Sequence, residues 1–244
     1  MVVRYLIRFA TVAIATVSIA TNCQAGSEPP PALSDALIHY AKLEYVQAHR
    51  MLSPLADDGN AVAQEILGFM RARGEGVPRD DIAAVRWFTL AAEAGRAEAQ
   101  FELGRIYRDG VGVTADGRAA LHWLRSAADR GKADAYEAVA ELYLGRSGIP
   151  ADSAAANEWF LRAAERGSAQ AMYNIALRHA EGQGVPRDDI EALMWFDLAY
   201  GDAVGSLRDT IASARMALTE RLMPIQVQMA LNRAREWTRT HRQE

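Results

Sequence analysis

Between Ala97 and Gly131 two stretches of helical spacing alternate with two glycine breaks. In AEAQFELGRIYRD (Ala97–Asp109), Ala99, Leu103, Ile106 and Tyr107 fall on one helical face, which predicts an amphipathic helix. Gly110-Val111-Gly112-Val113 interrupts the pattern, and glycine suits the tight turn after a helix end. Asp116 then stands where a side-chain oxygen would accept from the free N–H groups of a new first turn. In RAALHWLRSAADR, Ala120, Trp123, Leu124 and Ala127 share one face, and Gly131 closes the segment. The stretch reads as helix, turn, helix.

The same pattern recurs along the chain. Trp87, Trp123, Trp159 and Trp195 are spaced by 36 residues each time, as are Gly59, Gly95, Gly131 and Gly167, and Ala63, Ala99, Ala135 and Ala171. Ala48, Ala84, Ala120, Ala156 and Ala192 form a fourth row. The heptapeptide GVPRDDI occurs at Gly76–Ile82 and Gly184–Ile190, three periods apart. Its chemistry is that of a turn and a cap. Glycine serves the turn, and Val77 and Val185 pack inward. Pro78 and Pro186 cannot extend the preceding helix. Asp80 and Asp188 are N-caps, with equivalents at Asp116 and Asp152, and Asp81 and Asp189 place negative charge at the positive end of the helix dipole. Asp188 with Glu191 has the spacing of a capping box.

The repeated unit resembles the Sel1-like repeat, a relative of the tetratricopeptide repeat. The resemblance rests on the Ala-x3-Leu-Gly-x2-Tyr run at Ala99–Tyr107, the Gly-x-Gly-Val turn, the aspartate cap, and the Ala-x2-Trp-x3-Ala-Ala-x2-Gly run at Ala120–Gly131. It implies an all-α, right-handed α-solenoid of about 36-residue helix-turn-helix repeats. The departures are local. Arg146 replaces a turn glycine beside Gly145, His179 takes a tyrosine position, and Met51 and Arg71 replace aromatics in the first unit. The expected organisation is a repeat array over 61–201, a degenerate repeat or cap over 34–60, and capping helices over 202–244, the last two at Leu207–Leu222 and Pro224–Arg239. Pro54 stands inside the helix predicted from Tyr45, at an expected kink. A terminal repeat lacks a neighbour, so its inner face needs a cap.

The first 25 residues read as a signal peptide: Arg4 and Arg8 with no acid, then an apolar run at Phe9–Ala20, then small and polar residues. The run is shorter than the roughly 20 residues of a membrane span. Cleavage near Ala20 or Ala25 fits, with a linker over 26–33, and points to a periplasmic or secreted protein. Cys23, the single cysteine, follows the apolar run as a lipidated cysteine would, which leaves an outer-membrane lipoprotein as the second reading. The chain has 244 residues, half of them hydrophobic, and a formal net charge of -4 with the signs interspersed. No basic stripe marks a nucleic-acid surface, and Arg233–Arg242 reads as the solvated face of a last helix.

Little in the sequence points to catalysis. None of the five histidines, His39, His49, His122, His179 and His241, shares the helical spacing of a metal pair, and no metal or cofactor is expected. GVGVTA at Gly110–Ala115 follows a helix, not the strand that a dinucleotide fingerprint requires. Cysteine-rich members of the resembled family are linked to β-lactam binding and hydrolysis; their paired cysteines are absent here, so no enzyme is expected.

What remains is a surface for a protein partner. By the resemblance, the first helix of each repeat lines a concave binding face. Its inward positions would be Glu98, Phe101, Glu102, Arg105, Arg108 and Asp109, with Glu65 and Phe69 one unit back, Glu137 and Glu141 one unit on, and Tyr173, Asn174 and Leu177 in the last. Aromatics among charges suit a binding hot spot. The competing reading makes the charges ordinary solvated positions and packs Phe69, Phe101 and Tyr173 between repeats.

Overall fold

The computed structural model describes residues 31–145 and 147–241; the expected leader with Cys23, most of the linker, and Arg146 lie outside the described residues. The chain divides into two compact units, Met1–Thr114 and Ala115–Glu244. The first holds α1 (Pro31–Ala41), α2 (Tyr45–Asp57), α3 (Ala61–Arg73), α4 (Asp81–Glu93) and α5 (Ala97–Asp109). The second holds α6 (Gly117–Asp129), α7 (Ala133–Leu142), α8 (Ser153–Ala164), α9 (Ala169–Glu181), α10 (Asp189–Asp202), α11 (Gly205–Thr219) and α12 (Pro224–His241). The described residues form these helices and no strand, the all-α solenoid that the period implied. The first helix starts at Pro31, inside the stretch expected to be linker, and proline is well placed at the first position of a helix. α2 runs through Pro54.

Small residues set the packing. Ala63, Ala99, Ala135 and Ala171 are all 0% exposed, and the second alanine row is buried with them. Between them Leu67, Leu103 and Val139 fill the core. Each such side chain contributes roughly 1.5–3 kcal/mol by leaving water. In the first unit the core joins Leu33 and Ala36 of α1 to Leu52 of α2 and to Ile66, Leu67 and Met70 of α3. The tryptophan row is uneven. Trp159 and Trp195 are buried, whereas Trp87 and Trp123 are half-buried.

The aspartate caps form as the spacing predicts. Asp80, Asp152 and Asp188 each accept from backbone N–H groups of the turn they open, as does Asp116. Their own N–H groups donate backwards, to the carbonyls of Arg71, Tyr143 and His179, tying the two helices of a repeat together. This explains one correction. Asp188 and Glu191 do not complete a capping box, because the Asp188 N–H is already taken by His179, and the Glu191 carboxylate accepts instead from Trp195 Nε1 and Arg233 Nη1.

A second recurrent link joins successive repeats. Gln64 Nε2 donates to the carbonyl of Ala56, Gln100 Nε2 to Ala92, and the Tyr136 hydroxyl to Ala128, all at one register. These polar side chains are buried, so the bonds replace those lost to water.

The turn glycines provide close approach. Gly76 has φ +70°, and a Cβ there would stand 2.6 Å from the Tyr45 carbonyl carbon at the start of α2. Gly112 and Gly184 abut Asp81 and Ser153 in the same way. In the unit that departs from the pattern, Gly148 meets nothing within 4 Å. There the close approach falls on a second glycine across the junction: Gly117, the residue equivalent to Asp81 and Ser153, lies against the Ser147 carbonyl with no room for a Cβ.

Candidate functional site

Within the first unit, α3, α4, α5 and their turns enclose an open cleft of about 250 Å³. Its apolar lining is Phe69, Ala72, Ala84, Phe88, Ile106 and Val111, and its charged lining is Arg73, Arg79, Arg105, Asp81, Glu102 and Asp109. Phe69 and Phe88 meet edge to face with centroids 5.0 Å apart. Gly68 makes room for this pair, since a Cβ there would come within 2.7 Å of the Phe88 ring. The Arg73 guanidinium lies 4.6 Å from the Phe69 ring centroid, a cation–π placement.

The charges around the cleft are paired at its surface. Arg79 donates two bonds to Asp81, at 2.9 and 3.0 Å. Arg105 lies 3.2 Å from Glu102. Arg108 binds Asp109 at 2.7 Å, and this hydrogen bond holds the Asp109 carboxyl below the usual carboxylate range. Exposed pairs of this kind contribute little to stability, so a ligand can exchange them at small cost.

The predicted positions divide. Phe69, Glu102, Arg105 and Asp109 come together in the cleft. Glu98, Phe101 and Arg108 are half-buried on α5 and do not line it. Glu65 is a correction: its side chain is 1% exposed and is held by two bonds from Arg96, so it presents nothing to a partner. In the second unit Glu137, at the same register, accepts from the Ser168 hydroxyl, which itself caps α9. This row therefore carries links between repeats at both glutamates. Tyr173 tilts against Phe196 at 5.8 Å, Asn174 accepts from Gln170, and Glu141 and Leu177 are half-buried. Phe69 and Tyr173 thus pack against the second helix of their own repeat, not between repeats, and Phe69 also faces the cleft. Among the described residues the buried Nδ1 of His179 has no hydrogen-bond partner.

Four more residues line the cleft: Asp81, which the sequence presents as a charge at the helix dipole, Arg79 of the same heptapeptide, and Arg73 and Phe88. The heptapeptide carried the signal. Its second copy forms the same fork, Arg187 to Asp189 at 3.0 and 3.1 Å, and there Arg221 adds a further bond to Asp189 at 3.1 Å. Among the described residues no three His, Cys, Asp or Glu side chains group as a metal site, and no helix is long and apolar enough to cross a membrane.

The arrangement is matched by known proteins. Residues 61–95, 97–132, 133–168 and 169–200 each match the Sel1 repeat. The crystal structure of a Sel1 repeat protein from Oxalobacter formigenes is similar at a TM-score of 0.67 and 29% identity, over 74% of each chain. So is c5321, a protective antigen present in uropathogenic Escherichia coli strains and displaying an SLR fold, at a TM-score of 0.69 and 26% identity. That match covers 95% of this chain and 46% of c5321, so this chain spans about half its length. No curated protein matches the sequence. With four repeats between Ala61 and Tyr200, continued by helices at both ends, the chain belongs to the Sel1 repeat family.

Proposed function

We propose that the chain is an exported interaction scaffold that holds a peptide or helix of a partner protein on the first helices of its repeats, in envelope assembly or signalling regulation. Sel1 repeat proteins mediate protein–protein interaction. The observation that carries the finer reading is the cleft, where an apolar floor of Phe69 and Phe88 lies beside exchangeable ion pairs. The duplicated fork supports a choice of partner chemistry. Asp189 receives an arginine from the chain's own C-terminal segment in addition to Arg187, whereas Asp81 has Arg79 and opens into the cleft. A partner segment with one apolar side chain and one basic residue fits this lining.

The test is photocrosslinking in bacterial cells from a probe at Ile106, with an Asp81→Asn/Glu102→Gln variant beside the wild type. Both changes keep the side-chain shape and remove the charges that a basic partner residue would meet, and the cap of α4 is Asp80, so helicity should be kept. A product formed by wild type and lost in the variant supports the cleft. Equal capture by both removes it. The intact mass of the exported chain tests the leader: a start after Ala20 or Ala25 fits a free periplasmic or secreted protein, and an acylated Cys23 makes it a lipid-anchored envelope component.

A further inference from the structure

α9 carries a charge where its counterparts carry apolar side chains. At the repeat spacing the row reads Met70, Ile106, Leu142 and Arg178. Met70 is 0%, Leu142 1% and Arg178 5% exposed. A buried cation is costly unless paired, yet among the described residues no carboxylate pairs with Arg178. Its Nε donates to Asn157 Oδ1 and its Nη2 to the Ser153 carbonyl at 3.2 Å, both on the first turns of α8. These neutral acceptors fix the plane of the guanidinium along one edge. Nη1 makes no hydrogen bond among the described residues and is not enclosed. The neighbouring acids along the chain are engaged elsewhere: Asp152 and Asp188 cap helices, Glu158 pairs with Arg162, and Glu181 accepts from Gln183. Burial lowers the pKa of the guanidinium, but arginine keeps its proton in proteins.

We propose that Arg178 is an oxyanion receptor whose open Nη1 edge takes a carboxylate from an acidic peptide segment, supplying the counter-charge that the fold omits. Asn157 and Ser153 act as positioning residues. A planar fork with one edge fixed matches a single carboxylate in two-bond geometry, whereas phosphate sites gather several donors. The receptor lies in the second unit, and its test does not involve the cleft of the first.

The experiment is a titration of the ¹⁵N-labelled full chain, following the Arg178 Nε–H resonance, which Arg178→Met identifies by its loss, and the backbone amide resonances of Ser153 and Asn157, which report on wild type and variants alike. The probes, at matched ionic strength in chloride, are N-acetylated and C-amidated tetraglutamate, acetate, a neutral peptide with a free C-terminus, and inorganic phosphate. The expected result is a saturable shift with the carboxylate probes. Arg178→Lys should weaken binding by about tenfold or more, because one charged hydrogen bond is lost. Arg178→Met should fold with an equal or higher melting midpoint, since it restores the residue type of the row. If the Met variant fails to fold, the Lys variant carries the comparison. Saturation by tetraglutamate assigns the carboxylate to acidic side chains, and saturation by the neutral peptide assigns it to a C-terminus. Both support the receptor. A response to phosphate alone overturns the carboxylate assignment, and the absence of any saturable shift overturns the site.

Discussion

Arg96 and Glu65 meet through two parallel hydrogen bonds, Nη2 to Oε1 at 2.8 Å and Nε to Oε2 at 3.1 Å, with the Glu65 side chain 1% exposed. The pair fastens α3 to the residue that opens α5, 31 positions along the chain. Removing one partner leaves the other charge without compensation. Arg96→Ala should therefore cost about 3–5 kcal/mol in chemical denaturation. A Glu65→Leu/Arg96→Met double variant should recover most of that loss, because two apolar side chains of similar volume need no counter-charge. A cost under 1 kcal/mol for the single variant would show that the pair is solvated in solution.

The turn glycines predict a graded pair of substitutions. Gly131→Ala meets open space and bears only the left-handed backbone penalty, about 1–2 kcal/mol. Gly76→Ala bears the same penalty and also drives a methyl into the backbone at Tyr45 and Val46, adding roughly 1–3 kcal/mol of overpacking. Denaturation midpoints of the two variants measured side by side check the ordering. Equal losses would mean that the junction yields freely.

Leu43 is the one described residue other than glycine with positive φ, at 64°, in the turn after α1. The Glu44 N–H reaches back to the His39 carbonyl and the Leu43 N–H to Tyr40, the bond pattern of a helix end that glycine ordinarily fills. Leu43 is 55% exposed, so its side chain gains little from burial. Leu43→Gly should raise stability by about 0.5–1 kcal/mol, the relief of the left-handed conformation less the entropy of a more flexible unfolded chain. A loss would show that the leucine has a packing role.

Glu137 gives a pH signature. Desolvation by burial raises its pKa above the usual carboxylate value, opposed by the hydrogen bond from Ser168 and assisted by the charges of Glu141 and Asp134. A carboxyl whose folded pKa is raised favours the fold while protonated. Its contribution is fully present below the unfolded pKa and is lost as pH rises through the folded one. Glu137→Gln keeps an acceptor for Ser168 without the buried charge. It should be more stable than wild type at neutral pH, and the gap should close below about pH 4. Urea midpoints at the two pH values measure this; a gap that does not depend on pH would rule out the titration of Glu137 as its cause.

The architecture was legible because a repeated helix crossing demands the same small residue each time. The alanine rows at 63, 99, 135 and 171 are that demand written out, and the aspartate caps follow from turn chemistry that acts over three residues. The binding face was less legible. Glu65 and Glu102 sit at adjacent registers of successive first helices, but one is buried under Arg96 and the other borders a cleft. The distinction depends on a partner 31 positions along the chain whose type changes between repeats, Arg96 for Glu65 and Ser168 for Glu137. Phe88 and Asp81 reach the cleft through tertiary packing of α4, which the heptapeptide repeat signalled only as a turn.

The junction of Gly148 and Gly117 bears on how such arrays change over generations: both sides are glycine, and the close contact moves to the Ser147 carbonyl against Gly117. Each junction works as a lock in which backbone or side chain presses on one glycine, and either side can supply that glycine. Recombination that grafted the 182–186 turn onto α6 would take away the carbonyl that Gly117 accommodates. The reciprocal graft of 147–149 onto α8 would drive a carbonyl into Ser153. Neighbouring repeats are thus matched pairs, and duplication or loss of a unit is tolerated only where the cut leaves both halves of a junction together.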